Sequence, residues 1–366
     1  MKVEQMYLPM LELTRGTAQA DGSYPKTETV ESIHFGAAAV VDALGNLLTW
    51  YGDPQTVTFL RSSAKPFQAL PFFERGGKDH FQLTLKECAI LCASHSGTDD
   101  HYHTVQAIQA KAGISETDLM CGTHPVFDQA TAEALRIRNE KPTANRHNCS
   151  GKHTGMLSFA RMENLPLENY LDIQHPIQKT ILTTFAAMCR FPEEEIALGT
   201  DGCSAPVFAI PLYHAALGFA RLCDPQNGQV SPPARADACR LIVEAMTSHP
   251  DMVGGPGRFD TLIMQAFRGG LVSKTGAEAY QAFGLMPGVL RPGSPGVGIV
   301  YKISDGDSTG RARRAVGLEI LRQLGVLSSI DMESLAEFGP EYPIYNWRKL
   351  KVGRARPCFT LQKQKS

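Results

Sequence analysis

The chain has 366 residues, of which 43% are hydrophobic, enough for a continuous core in one large domain or two intimate ones. Its 36 basic and 37 acidic residues nearly cancel, so there is no net field to attract nucleic acid or an anionic membrane. No segment approaches the ~20 apolar residues of a membrane span, and the N-terminus has no apolar run long enough for a signal peptide. We therefore expect a cytoplasmic protein, and its nine scattered cysteines predict no disulfide framework.

The first predicted element is a β-hairpin, which a short helix follows directly. Residues 37–41 and 47–51 are strand segments joined by the turn sequence "DALGN". In the next stretch, "FLRSSAKPFQALP", Pro66 predicts a helix that begins near Ser62, because proline is tolerated in the first helical turn. Ser62 and Lys65 would share one face of this helix, which makes an amine available to a hydroxyl. The same spacing also fits a serine cap with a surface lysine.

Helical segments and short loops alternate through the middle of the chain. The segments "TLKECAILCASHSG", "TDDHYHTVQAIQAKAG", "FDQATAEALRIRNEK" and "PIQKTILTTFAAMCRF" predict helices. The stretch "NCSGKHTGMLSFARMENL" is typical of a loop that leads into a helix, with Ser150 as its N-cap. A strand, a glycine turn and a long helix are predicted for "EEIALGTDGCSAPVFAIPLYHAALGFARLC".

The last third of the chain predicts strands and a closing helix. "LVSKTGAEAYQAFGLM" and "GVGIVYKIS" indicate two adjacent strands, and "STGRARRAVGLEILRQLGVL" indicates a helix whose basic run, residues 311–316, is its solvated face. Residues 350–366 are interpreted as a basic tail. Strands at both ends around a helical middle favour an α+β fold, with one antiparallel sheet built from both terminal parts of the chain and flanked by helices.

Three polar motifs occur in an informative order. They are S-x-x-K at residues 62–65, S-x-S at 94–96 and K-T-G at 274–276. Each alone fits a helix cap, a helix end or a solvent-facing strand lysine. Their order, however, resembles the serine β-lactamases and penicillin-binding proteins, in which S-x-x-K, S-x-N and K-T-G converge on one cleft.

The chain as a whole resembles a narrower family, the thermolabile, rhizobial-type L-asparaginases of the asparaginase II family. The resemblance covers roughly residues 30–325 and is carried by six motifs: "RSSAKP", "ASHSG", "NCSGKHTGM", "GTDGCSAP", "GRFDT" and "SKTGAE". It implies a serine-β-lactamase-like fold in a single catalytic domain, residues 1–366, and a homodimer. It also implies hydrolysis of L-asparagine to L-aspartate and ammonia.

The resemblance assigns four catalytic residues. Ser62 falls on the family's nucleophile and Lys65 on its activating lysine, while Ser94 and Lys274 fall on the second serine and second lysine. The chemistry is coherent, because a serine hydroxyl is too weakly acidic to attack an amide unaided. A lysine that is buried and lies near another ammonium can be neutral and serve as the base. Ser94 is the expected relay for the proton that the leaving nitrogen needs.

The same resemblance suggests residues that bind the substrate. Asp201 in "TDGC" matches a family acid and suits the α-ammonium group of an amino acid. Arg61, beside the nucleophile, suits the α-carboxylate, although an arginine that braces the loop fits equally. His153 is a further candidate for the pocket wall.

A zinc ion is the expected cofactor. In the family the positions of Cys149, Lys152 and Cys203 form a zinc site beside the pocket, and the lysine must be neutral to bind the metal. The spacing alone does not establish such a site, since the chain has no C-x-x-C pair and two cysteines from separate loops also fit buried thiols.

Three other functions remain open from the sequence. A penicillin-interacting serine hydrolase shares the motif order, but its substrates lie outside the cytoplasm and it carries S-x-N rather than S-x-S. An N-terminal-nucleophile asparaginase would cleave itself before a mid-chain threonine, for which Thr200 is suitably placed. A zinc-stabilised binding protein would keep the fold without the chemistry.

Overall fold

The computed structural model describes residues 6–327 and 332–363, and its fold is α+β, as the sequence predicts. The strands of the described residues are β1 (Leu8–Gly16), β2 (Glu28–Asp42), β3 (Leu47–Tyr51), β4 (Val57–Phe59), β5 (Ala197–Thr200), β6 (Pro206–Pro211), β7 (Leu271–Gly276), β8 (Tyr280–Leu285), β9 (Val297–Ile303), β10 (Tyr342–Tyr345), β11 (Lys351–Pro357) and β12 (Gln362–Lys363). Nine of them form an antiparallel sheet in the order β10-β11-β1-β2-β9-β8-β7, and β3 joins it beside β2 and β12. The sheet therefore draws on both ends of the chain.

Most of the chain between β4 and β7 is helical. The helices of the described residues are α1 (Lys65–Glu74), α2 (Gly77–His80), α3 (Leu85–Leu91), α4 (Asp99–Ala112), α5 (Gln129–Ile137), α6 (Ser150–Met162), α7 (Pro176–Cys189), α8 (Leu212–Cys223), α9 (Pro233–Ser248), α10 (Pro250–Val253), α11 (Phe259–Phe267) and α12 (Arg313–Gln323). Short 3-10 turns lie between several of them, including Arg61–Ala64 directly before α1. In the described part of the chain, no helix has the length and apolar character that a membrane crossing requires.

The core lies between the large sheet and the helices that cover it. The second half of β2 is buried throughout, and α8 packs against β2, β8 and β9. Gly298 in β9 makes this approach possible, because a Cβ atom there would lie 1.8 Å from the carbonyl oxygen of Ala216. The predicted hairpin is confirmed, with Ala38 opposite Tyr51 and Val41 opposite Leu47.

Several strands, among them β1, β4 and β10, were not predicted from the sequence, and β6 and the pair β7 and β8 show why. β6 follows the glycine turn, where the apolar run "PVFAIP" had been assigned to the turn and the long helix α8. β7 and β8 form a hairpin where one strand was expected, because the turn between them contains no central glycine. Instead Glu278 and Ala279 adopt left-handed conformations, with φ of 56° and 54°.

The prediction of a C-terminal tail is wrong for residues 351–357. They form β11, which pairs with β1 from Leu11 opposite Pro357 to Leu13 opposite Ala355. Two of the basic side chains that suggested a tail make ion pairs with strands of the sheet: Arg356 with Glu12 of β1 at 2.6 Å and Arg354 with Glu28 of β2 at 3.1 Å. Residues 364–366 lie outside the described residues.

Candidate active site

A second, three-stranded sheet brings two distant parts of the chain to one place. Its order is β4-β6-β5, and both outer strands are antiparallel to β6. β4 and β5 are therefore parallel to each other, and their carboxyl ends lie at the same edge. Arg61 and Ser62 follow β4, while Asp201 follows β5 directly. The Nε atom of Arg61 donates a hydrogen bond to Oδ1 of Asp201 at 2.8 Å.

Ser62 lies in the 3-10 turn before α1 and is partly exposed. Pro66 stands in the first turn of α1, as predicted. Within the described residues, the Ser62 hydroxyl has no hydrogen-bond partner, and it faces a cavity. The neighbouring Ser63 is fully buried, and its Oγ atom donates to the carbonyl oxygen of Lys274 at 2.8 Å.

Two buried lysines meet at the hydroxyl of Ser94. The Nζ atom of Lys65 donates to Ser94 Oγ at 3.1 Å, to the carbonyl oxygen of Ala93 at 2.6 Å and to that of Asn148 at 3.3 Å. Lys274 donates from Nζ to Ser94 Oγ at 2.8 Å. Lys65 is 1% exposed and Lys274 0%. The structure thus brings three of the four predicted catalytic residues into direct contact, although they come from separate segments of the chain.

The surroundings of Lys274 disfavour its charged form. Burial, followed by the repulsion of Lys65, lowers the pKa of Lys274 to about 7, and the nearby carboxylate of Asp260 opposes part of that shift. Near neutral pH a large fraction of Lys274 is therefore neutral. A neutral lysine can accept a proton, and a serine hydroxyl that touches both amines can pass one between them.

Asp201 is ionised beside the cavity. Burial would raise the pKa of its carboxyl group, but the charge of Lys152 and the hydrogen bond and charge of Arg61 outweigh burial and hold the pKa below its usual value. Asp201 is thus a carboxylate that can bind an ammonium group. Since Arg61 already donates to it, Arg61 braces the loop of Asp201 as well as standing beside Ser62.

The predicted metal-binding residues also lie together. α6 begins at Ser150 with Cys149 at the N-cap position, one residue earlier than predicted, and Lys152 lies in the first turn. The Nζ atom of Lys152 is 2.8 Å from Sγ of Cys203. A hydrogen bond from Cys203 and the charges of Lys65 and Lys152 hold the pKa of the Cys149 thiol well below its usual value.

The two thiols fit a zinc ion, because thiolate sulfur and neutral nitrogen are ligands that zinc prefers. Burial would lower the pKa of Lys152, but the charges of Cys203, Cys149 and Asp201 outweigh burial and raise it, so this lysine must lose a proton before it can bind a metal. Cys149 and Cys203 supply two sulfurs, and the third donor would have to be the amine of Lys152. Among the described residues, no three His, Cys, Asp or Glu side chains form a group that could hold a metal. Zinc binding here therefore depends on the lysine.

The site opens into a cavity of about 500 Å³. Five of the residues predicted from the sequence line it: Arg61, Ser62, Cys149, Asp201 and Cys203. The other lining residues were not predicted; they are Met120, Cys121, Gly122, Thr123, His124, His147, Asn148, Gly202, Ser204 and Ala277. The cavity thus joins the partly exposed Ser62, the Arg61–Asp201 pair and the cysteines in one space.

The two histidines of the cavity wall are the main residues that sequence reasoning missed. His124 accepts a hydrogen bond at Nε2 from the backbone N–H of Asn148 at 3.0 Å, and its ring centre lies 4.3 Å from that of His147. His147 stands directly before the motif "NCSGKHTGM", which could have drawn attention to it. His124 has no such signal in the sequence.

His153 does not lie where the sequence suggested. It is 0% exposed, it is absent from the cavity wall, and its Nδ1 atom is 2.6 Å from the hydroxyl of Tyr170. The reason is burial of the helix itself: every residue of α6 from Ser150 to Ala160 is buried, and His153 lies in the protein interior with them. His153 is therefore not part of this cavity wall.

Ser62 lines the cavity three residues before the buried Lys65, and Lys65 meets Lys274 at a second serine, Ser94. Serine and lysine side chains combined in this way are typical of serine hydrolases that cleave amides. The chain belongs to the L-asparaginase II family, whose sequence model matches residues 25–357. The protein is therefore an amidohydrolase, an enzyme of the class that cleaves the side-chain amide of asparagine or glutamine. Comparison with curated proteins gave no match.

Solved structures show remote similarity. A crystal structure of a Bacillus glutaminase is 13% identical in sequence, covers 75% of this chain and 84% of its own, and has a TM-score of 0.35. The structure of Mglu is 16% identical and covers 81% of this chain and 69% of its own, also with a TM-score of 0.35.

Proposed function

We propose that this enzyme is an L-asparaginase in which Ser62 attacks the side-chain amide of L-asparagine. The observation that carries the proposal is the position of Ser62, which faces the cavity beside Arg61 and Asp201 and lies three residues before the buried Lys65. The carboxylate of Asp201 would bind the α-ammonium group of the substrate. The free guanidinium nitrogens of Arg61 would bind its α-carboxylate.

The lysine pair would take up the proton of Ser62. As the Ser62 oxygen bonds to the amide carbon, its proton passes to Lys65, while Lys65 gives a proton to Ser94 and Ser94 gives its own to the neutral Lys274. Return of a proton through Ser94 to the amide nitrogen releases ammonia and leaves an ester on Ser62. Water then hydrolyses this ester to aspartate by the same proton path.

Two backbone N–H groups at the cavity wall are suited to the oxyanion. Ser62 and Ala277 both line the cavity, and neither N–H donates a hydrogen bond to any of the residues that the structure describes. The N–H of Ser62 is unpaired because it lies at the start of a helical turn, where the first N–H groups have no partner within the helix. We assign these two groups to the negative oxygen of the tetrahedral intermediate.

Release of ammonia tests the function directly. Purified protein should hydrolyse L-asparagine, whereas D-asparagine should be a poor substrate because it exchanges the positions of the two charged groups opposite Arg61 and Asp201. L-glutamine measured in parallel decides the substrate. Faster hydrolysis of glutamine than of asparagine, or hydrolysis of neither, would contradict the proposal. Turnover of a chromogenic cephalosporin instead would favour a penicillin-interacting hydrolase.

We also propose that Cys149, Lys152 and Cys203 bind one zinc ion. A zinc ion bound there would add positive charge to the cavity wall and join the turn after β5 to the start of α6, while the serine chemistry proceeds without it. Metal analysis should find about one zinc per chain, lost in Cys203→Ser. The matched control is Cys121→Ser, which changes another buried thiol of the cavity wall and should keep the metal. Protein purified without chelator that contains no zinc would refute the site.

The family resemblance further suggests a homodimer. Size-exclusion chromatography with light scattering tests this, since a monomer would elute with the mass of one chain, 39.9 kDa.

A further inference from the structure

A buried carboxylate lies behind the strand that carries Lys274. Asp260, in the first turn of α11, is 5% exposed. Its Oδ1 atom accepts a hydrogen bond from Ser273 Oγ at 2.6 Å, and its Oδ2 atom accepts one from the backbone N–H of Thr275 at 2.8 Å. Asp260 thus holds the residues on both sides of Lys274.

The geometry of a strand explains why these contacts matter for the lysine. β7 is the edge strand of the sheet in the part of the chain that the structure describes. Every second backbone N–H of β7 points away from β8 and has no strand partner. Asp260 satisfies one of these groups, that of Thr275. Side chains alternate between the two faces of a strand, so Ser273 and Thr275 point to one side while Lys274 points to the other, towards Ser94.

A second charged residue completes the arrangement. Arg313, at the start of α12, donates from Nη1 to Thr275 Oγ1 at 2.8 Å and to Oε1 of Gln281 in β8. Gln281 in turn donates from Nε2 to Asp260 Oδ1 at 3.1 Å. The sequence predicts a solvated helix face for residues 311–316. For Arg313 this prediction is wrong, because its guanidinium group binds Thr275 of β7 and Gln281 of β8.

The charged groups around Lys274 come from four places in the fold. Lys65 on α1 and Arg258 before α11 repel a charged Lys274, while Asp260 on α11 and the Cys149 thiolate before α6 attract it. Asp260 itself is ionised: burial would raise its pKa, but Lys274, Arg313 and the hydrogen bonds of Ser273 and Thr275 hold the pKa below its usual value. Asp260 thus carries a negative charge that favours the protonated form of Lys274.

We propose that Asp260 is a positioning residue for Lys274. Asp260 fixes the edge strand that carries this lysine, and its negative charge affects how readily the lysine becomes neutral. The positive charge of Arg313 opposes that effect. This inference rests on the proposed function, in which neutral Lys274 accepts a proton. It assigns to Asp260 no contact with the substrate. The residue acts only through the strand and through its charge.

Because Asp260 and Arg313 carry opposite charges, removing each of them should shift the pH dependence of kcat/KM in opposite directions. Asp260→Asn removes a negative charge that favours protonated Lys274, so the rise of kcat/KM for asparagine should move to lower pH by roughly one unit, with a lower maximum. Arg313→Met removes a positive charge and leaves Asp260 free to favour protonated Lys274, so the rise should move to higher pH.

Asp224→Asn is the matched control. Asp224 is 4% exposed and also accepts three hydrogen bonds, from the N–H groups of Asn227 and Gly296 and from the Asn227 side chain. This variant should lower the melting temperature and leave the pH profile unchanged. If Asp260→Asn does not fold, Arg313→Met alone decides the matter.

An unmoved profile in both variants, with only its height reduced, would show that the network is merely structural and would overturn the proposal. A wild-type protein that releases no ammonia from asparagine would instead refute the proposed function, so the two failures are distinguishable.

Discussion

Ser62 and Ser63 are adjacent serines with different surroundings, which makes them a natural pair for mutation. Ser62 faces the cavity, whereas the buried hydroxyl of Ser63 holds the backbone of Lys274. We expect Ser62→Ala to lower kcat for asparagine by roughly three or more powers of ten with an unchanged melting temperature, because it removes the attacking group. Ser63→Ala should mainly lower stability, by about 1 to 3 kcal/mol, because it leaves a buried carbonyl group without its partner. The reverse pattern would show that the wrong serine was assigned.

The lysine pair predicts the pH dependence. The pKa of Lys274 is lowered to about 7, and the mechanism needs its neutral form, so kcat/KM should rise as pH increases through this value and be highest on the alkaline side. In Lys274→Met the titrating group is gone, so the rise near pH 7 should disappear from any residual activity. Kinetics from pH 5 to 10 in both proteins test this. A rise of unchanged position in Lys274→Met, with only its height reduced, would exclude Lys274 as the proton acceptor.

At the scale of single elements, the sequence predicted the helices better than the turns between strands. The helical segments carry a clear apolar pattern, and "SSAKP" predicted a helix from Ser62, where a 3-10 turn leads into α1 at Lys65. The hairpin turn of β7 and β8 could not be predicted, because Glu278 and Ala279 adopt positive φ without glycine. Tertiary structure stabilises this turn: the Nζ atom of Lys302 donates to the carbonyl oxygen of Glu278 at 2.6 Å.

The parts of the site that could be predicted are those whose residues stand in local sequence motifs. Ser62, Cys149 and Asp201 stand in local motifs that the family resemblance covers, and all three line the cavity. His124 reaches the wall only because its loop folds against Asn148, a contact between residues 24 positions apart that no local pattern records.

Two helix ends offer a test of element stability. Arg268 ends α11 and Arg190 ends α7, both in the left-handed conformation with φ of 47°. Glycine adopts this conformation without the steric cost that other residues bear. Because Arg268 is exposed, Arg268→Gly should raise stability by about 0.5 to 1 kcal/mol, seen as a melting temperature higher by roughly 1 to 2 °C. Arg190→Gly should gain less, since Arg190 also donates to the carbonyl oxygen of Gly228 at 3.1 Å. A lower melting temperature for Arg268→Gly would contradict this reasoning.

At the scale of the whole molecule, the active site depends on contacts between distant parts of the chain. Lys65, Ser94 and Lys274 meet although Ser94 and Lys274 alone are 180 positions apart. β7, which carries Lys274, is the outermost strand at one side of the large sheet, while the C-terminal strands lie at the other side. Damage to the C-terminal strands should therefore affect stability before it affects the chemistry of the site.

Removal of the C-terminal strands tests this directly. A chain that ends at Leu350 lacks β11 and β12, so β1 becomes an open edge and the buried side chains of Leu11 and Leu13 lose part of their cover. We expect the loss of several kcal/mol, with a melting temperature lower by roughly 5 °C or more and aggregation on heating. Trp347→Ala is the control, because Trp347 is 100% exposed and its loss should change neither property. Differential scanning calorimetry and light scattering measure both. A truncated chain that melts at the wild-type temperature would show that residues 351–363 behave as a tail after all.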